Sequence, residues 1–125
     1  MKINIKATNI TLTPAISDYV NKKISALEKY FQQSPDAVAH VEVGRITRHH
    51  KTGEIFRAEV HVIGAGLDVY ADSEQADLYA AIDLAKDELI RNTLQGKDKR
   101  ATLARRGAEM VKNMMKGFRI FKKRP

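Results

Sequence analysis

Ile3, Ile5 and Ala7 alternate with Lys2, Asn4, Lys6 and Thr8, a period of two that predicts a half-buried strand. Thr13 then stands before Pro14, a hydroxyl N-cap ahead of a proline whose fixed φ suits the first helical turn. Apolar residues follow at Ile16, Val20, Ile24, Leu27 and Phe31, spaced by four, four, three and four, with Asp18, Lys22, Lys29 and Gln33 on other faces. That spacing predicts an amphipathic helix from Pro14 to about Gln33, closed by Ser34-Pro35-Asp36.

Alternation returns after the proline. Val41 and Val43 point one way against His40 and Glu42, and Phe56, Ala58, Val60 and Val62 oppose Arg57, Glu59 and His61. Between these two strands, His49-His50-Lys51-Thr52-Gly53 reads as a hairpin loop in which Gly53 supplies positive φ. Gly64-Ala65-Gly66 predicts a second tight reversal, into a short strand through Leu67, Val69 and Ala71. Asp72 or Ser73 is then a candidate cap for a long helix whose inner face carries Leu78, Ala81, Ile82, Ala85 and Leu89, with Gly96 as its expected end.

The order is β-α-β-β-β-α, an α+β fold. The first helix is a crossover, so the first two strands should run parallel, and the last three strands should form a meander. One face of a four-stranded sheet carries the valines and must be covered by both helices, giving a two-layer sandwich. The other face shows Lys6, His40, Glu42, Glu59, His61 and Asp68 and suits water. The predicted domain covers residues 1–100, and residues 101–125 form a tail. Met110, Val111, Met114, Phe118 and Phe121 could make a short apolar stripe in that tail, too small for a core of its own, so it either docks on the body or orders on a partner; the tail is expected to be mobile until it meets that partner.

Composition sharpens this. The chain has 125 residues, 43% of them hydrophobic and 30% charged, with no cysteine. Disulfide frameworks, thiolate zinc sites and cysteine nucleophiles are therefore excluded. There is no run of about 20 apolar residues and no signal-like start, which fits a cytoplasmic protein. The formal net charge of +7 is unevenly placed. Residues 1–90 hold 10 Lys and Arg against 13 Asp and Glu, whereas residues 91–125 hold 12 against Asp98 and Glu109 alone. A balanced body with a strongly basic end points to a polyanion, nucleic acid above all, although a purely solubilising tail would show the same composition.

Catalytic and metal chemistry find little support. His40 and His61 lie on adjacent strands near Glu42 and Glu59, and two imidazoles with a carboxylate are a zinc donor set. No fixed-spacing pair accompanies them, and exposed histidines are the simpler reading. Gly64-Ala65-Gly66 is followed by a strand rather than the helix a phosphate cradle needs. No metal, no cofactor, no small-molecule substrate and no enzymatic activity are expected. The basic residues hold the signal: Lys22, Lys23 and Lys29 on the first helix, and Lys86, Arg91, Lys97, Lys99 and Arg100 along or beyond the second. Helices packed side by side would merge these into a positive ridge suited to the phosphates of a folded RNA. Neither helix shows the arrangement that reads DNA base edges.

Thr11-Leu12-Thr13-Pro14-Ala15-Ile16, Leu27-Glu28-Lys29-Tyr30-Phe31, Asp77-Leu78-Tyr79-Ala80-Ala81-Ile82-Asp83 and Lys97-Asp98-Lys99 together resemble the ribosome hibernation promoting factors, also described as ribosome-associated translation inhibitors. The resemblance spans about residues 1–100, and Asp77 to Asp83 is its most specific element. It implies a fold likened to double-stranded-RNA-binding domains. It also implies a non-enzymatic stress factor that enters the mRNA and tRNA channel of the small ribosomal subunit and holds the ribosome inactive. Lys23, Arg91, Lys97 and Lys99 fall where that family places cations facing ribosomal RNA. The chain departs from the family at Ala26, Glu88 and Gln95, each standing where a basic residue is usual.

The expected rRNA-binding set is thus Lys22, Lys23, Lys86, Arg91, Lys97, Lys99 and Arg100, extended into the tail by Arg105 and Arg106. The expected partner is the small ribosomal subunit with its rRNA and not a membrane; no oligomeric state follows from the residues. The competing reading is a small regulatory module whose basic tail grips an acidic protein.

Overall fold

The computed structural model describes residues 1–32, 34–46 and 53–123, with side chains given through Lys112. The elements are β1 (Lys2–Thr8), α1 (Pro14–Ser25), a 3-10 turn (Glu28–Tyr30), β2 (Val38–Ile46), β3 (Ile55–Gly64), β4 (Leu67–Gln75) and α2 (Leu78–Lys123). The sheet order is β1-β2-β3-β4. β1 runs parallel to β2, and the other two pairings are antiparallel. The expected α+β order and the parallel crossover are both present.

Two compact units divide the chain, Met1–Leu94 and Gln95–Pro125. In the first, the strands alternate as their sequence does. Ala39, Val41, Val43, Ala58, Val60, Val62, Leu67, Val69 and Ala71 are buried on one sheet face, beneath Val20 and Ile24 of α1 and Leu78, Ala81, Ile82, Ala85 and Leu89 of α2. The opposite face stays open, and alternate residues on paired strands stand in cross-strand rows: Asn4, His40, His61 and Tyr70 in one, Lys6, Glu42, Glu59 and Asp72 in the next.

The Thr13 cap is present, its hydroxyl accepting from the Ile16 amide at 3.2 Å with Pro14 opening the helix. The end of α1 differs from expectation. The helix stops at Ser25, not Gln33, and the chain tightens into successive i to i−3 bonds, from Leu27 to Ile24 and from Tyr30 to Leu27, both 2.9 Å. Such bonds satisfy carbonyls that a helix end leaves orphaned. Leu27 and Phe31 remain buried, so the apolar spacing serves the tighter turn as well. Gln33 itself lies outside the described residues, as does most of the predicted hairpin loop, 47–52. Gly53 at its end does take positive φ, +96°. The β3–β4 reversal is a two-residue loop with Ala65 at φ 51° and Gly66 at 72°, the left-handed pair that matches the twist of a hairpin.

Both boundaries proposed for α2 are corrected. Asp72 and Ser73 pair within β4, opposite Glu59 and Ala58. The cap is Asp77, whose carboxylate accepts from the Ala80 amide at 3.3 Å. Nor does the helix stop at Gly96: α2 runs through Lys123. A glycine costs a helix only about 1 kcal/mol relative to alanine, and no proline follows until Pro125. Thr93 is buried, its hydroxyl donating to the Leu89 carbonyl at 2.7 Å, so it closes the core stripe with no polar group left unpaired. No helix among the described residues is long and apolar enough to cross a membrane.

Candidate nucleic-acid interface

Of the nine cations expected at the interface, Lys22, Lys23, Lys86 and Arg91 belong to the first unit, and Lys97, Lys99, Arg100, Arg105 and Arg106 to the second. Lys22 and Lys23 occupy the last turn of α1, where the partial negative charge of the helix end favours them even without a ligand. Lys22 is exposed; Lys23 is drawn inward. Its Nζ sits 3.6 Å from Asp83 and 5.4 Å from the centroid of the Tyr19 ring. Lys86 is half-buried, with its Nζ 2.9 Å from Asp87. Arg91 is exposed on the side of α2 away from the core. Ion pairs at this degree of exposure stabilise by about 1 kcal/mol or less, so phosphates can replace the carboxylates at small cost.

The second unit supplies most of the charge. Residues 95–125 hold eleven Lys and Arg against Asp98 and Glu109, a net of +9, while residues 1–94 hold 11 against 13, a net of −2. Within this stretch of α2, Lys99, Arg100, Arg105 and Arg106 are exposed and Lys97 is half-buried. By helical phase, Lys97, Arg100 and Arg105 lie toward one half of the cylinder and Lys99 and Arg106 toward the other. The charge encircles the helix instead of forming a single stripe.

A polar and aromatic cluster between α1 and α2 has no counterpart among the expected residues. The Tyr19 hydroxyl donates to Asp83 at 2.7 Å, and the Tyr19 and Tyr79 rings meet edge to face, centroids 4.7 Å apart and planes at 87°. The hydrogen bond to Asp83, then burial, then the Asp83 charge push the Tyr19 hydroxyl up to about 12. Tyr19 therefore remains a donor throughout the neutral range. Removing that hydroxyl in Tyr19→Phe should cost about 1 kcal/mol at pH 7. A pKa raised in the folded state stabilises fully below the usual value near 10 and is lost as pH rises through 12. The deficit of Tyr19→Phe against wild type in urea melts should thus be constant to about pH 10 and narrow toward 12. The sequence signal was present in Asp77 to Asp83: Asp77 caps α2, Leu78, Ala81 and Ile82 enter the core, and Tyr79 and Asp83 turn to α1.

The open sheet face is differently charged. His40 and His61 are direct cross-strand partners with ring centroids 6.4 Å apart. Of the neighbouring carboxylates Asp68 holds His61, while Glu42 accepts from Thr8 at 2.7 Å and Glu59 and Asp72 take Arg57 at 2.7 and 2.6 Å. Asn4, Lys6, His40, Glu42, Glu59, His61 and Tyr70 line a depression of about 320 Å³. Among the described residues no group of three His, Asp or Glu comes together as a metal site; His49 and His50 lie outside them. The rows from Lys2 to Thr8 bring Lys2, Lys6 and Arg57 against Glu42, Glu59, Asp68, Asp72 and Glu74. Carboxylates prevail there, which disfavours phosphate.

Comparison with known proteins bears on the family and the fold. Residues 3–101 match the family described as sigma 54 modulation protein / S30EA ribosomal protein. A ribosome hibernation promoting factor of Azotobacter vinelandii is 39% identical over 79% of this chain and 85% of its own length. One of Klebsiella oxytoca is 35% identical over 79% of this chain and 96% of its own. Among solved structures, the N-terminal domain of Thermus thermophilus Protein Y aligns with a TM-score of 0.64 at 36% identity, covering 74% of this chain and 96% of that one. A ribosomal subunit interface protein from Coxiella burnetii has the same fold at 18% identity, with a TM-score of 0.63 over 78% of this chain and 99% of that one.

Proposed function

The chain belongs to the sigma 54 modulation protein / S30EA ribosomal protein family, and from that membership we propose that it is a ribosome hibernation factor that occupies the mRNA and tRNA channel of the small ribosomal subunit. It stops translation by occlusion, with no bond made or broken, when growth ceases. Lys22, Lys23, Lys86 and Arg91 on the folded domain, and Lys97, Lys99, Arg100, Arg105 and Arg106 beyond it, neutralise rRNA phosphates. The observation that carries this reading is the charge separation: a net of +9 on residues 95–125, helical through Lys123, joined to a domain whose open sheet face is rich in carboxylates. A polyanion is drawn to the first and repelled by the second.

Where the family resemblance implies cations, the chain carries Ala26, the residue that caps the end of α1, Glu88 and Gln95. The helical arm offsets that loss, since each phosphate contact adds affinity and salt dependence. Residues 101–112 are exposed apart from half-buried Thr102, so removal of residues 101–125 should leave the melting temperature nearly unchanged. The same truncation should weaken subunit binding and make the plot of log K against log salt shallower. A lowered melting temperature with an unchanged slope would assign the arm to packing or self-association instead. Function is tested by titrating the protein into a purified translation system. Synthesis should fall as protein approaches the ribosome concentration and recover when mRNA and initiator tRNA are supplied first; no inhibition at excess protein would refute occlusion.

A further inference from the structure

We propose that the Tyr79 ring is a stacking platform for one unpaired base of the bound RNA, an inference that rests on the RNA-binding function proposed above. Tyr79 is the second residue of α2 and is 37% exposed, although the residues around it, Leu78, Ala81 and Ile82, are buried. The core does not need this ring. Its edge-to-face contact with Tyr19 engages at most one of its two faces. More than a third of the residue's surface remains exposed to a ligand.

The platform is fixed in place. Asp83, one turn along α2, accepts the Tyr19 hydroxyl at 2.7 Å and holds Tyr19 against Tyr79, so little rotamer freedom remains to be lost on binding. Cations flank it. Lys23 approaches the same cluster at 3.6 Å from Asp83, and Lys86 lies two helical turns beyond Tyr79 on the same side of α2. An aromatic face beside lysines is the combination that receives a base together with a neighbouring phosphate, whatever the base identity. Bases inside an A-form duplex are not accessible, so the ligand is a base splayed from a loop or bulge.

Stacking releases few counterions, whereas a phosphate contact releases about one. This separates the platform from the lysines around it. Binding of the full chain to purified small subunits is measured over a range of KCl for wild type, Tyr79→Leu and Tyr79→Phe. Tyr79→Leu should bind about tenfold more weakly with an unchanged salt slope and stay folded at the binding temperature, its melting temperature lowered only by the lost edge-to-face contact with Tyr19, and Tyr79→Phe should bind like wild type. Wild-type affinity in Tyr79→Leu overturns the platform alone, as does a variant unfolded at the binding temperature. Failure of the wild type to bind at any salt overturns the RNA reading and the platform with it. A second variant is independent of stability differences. The chain has no tryptophan, so Tyr79→Trp places one reporter at the site. Its emission should be quenched by an RNA hairpin with a bulged base and little affected by the same hairpin without the bulge; equal responses overturn the proposal.

Discussion

Replacing Arg91, Lys97 and Lys99 together by glutamate is expected to abolish small-subunit binding while the domain still melts as wild type does. The charge of this stretch changes by six units, from attraction to repulsion of phosphate. Loss of three phosphate contacts alone should reduce the salt slope by about 2–3, and reversal goes further. Arg91 and Lys99 are exposed and Lys97 is half-buried, and none belongs to the core. The fold therefore has little to lose. Salt-dependent binding and a thermal melt on the same preparation check both halves. A triple variant that still inhibits translation at wild-type concentration would place the RNA face elsewhere.

The second large effect is on stability. Ile82 is fully buried in the α2 stripe with Leu78, Ala81, Ala85 and Leu89. Ile82→Ala removes three carbons from a packed interior and should cost about 2–5 kcal/mol. In a domain of this size that lowers the melting temperature by at least about 8 °C. Leu84→Ala is the matched control: its side chain is 44% exposed two positions away, and its loss should stay within about 0.5 kcal/mol. Equal melting of the two variants would mean that the inner face of α2 is misassigned.

What the sequence makes legible follows from how local each cause is. Strand alternation, the Thr13 cap and the Ala65-Gly66 reversal depend on a few adjacent residues, and all three are found where the pattern puts them. The end of α1 was not legible, because Leu27 and Phe31 continue the apolar spacing whether the backbone is α or 3-10. The start of α2 was ambiguous for a different reason. Asp72, Ser73 and Asp77 are all capping residues, and the choice is made by the length of β4, which pairs as far as Phe56 with Gln75. Gly96 is a stop signal only where the following residues cannot continue a helix, and here they can.

The candidate interface divides in the same way. Charge is visible residue by residue, so the cations could be named. Their partners are tertiary: Asp83 meets Lys23 and Tyr19 across about 60 positions of chain. The Tyr19–Tyr79 contact likewise joins two helices whose relative placement no local pattern carries. The motif around Tyr79 advertises a family; its geometry shows why those seven residues belong together.

Co-sedimentation of the full chain with purified ribosomal subunits through a sucrose cushion, at low and at high KCl, tests the proposed function most directly. The protein should pellet with small subunits at low salt, be released as salt rises, and leave large subunits unoccupied. Protein that stays in the supernatant with small subunits at low salt, or that pellets equally with both subunits whatever the salt, would contradict it.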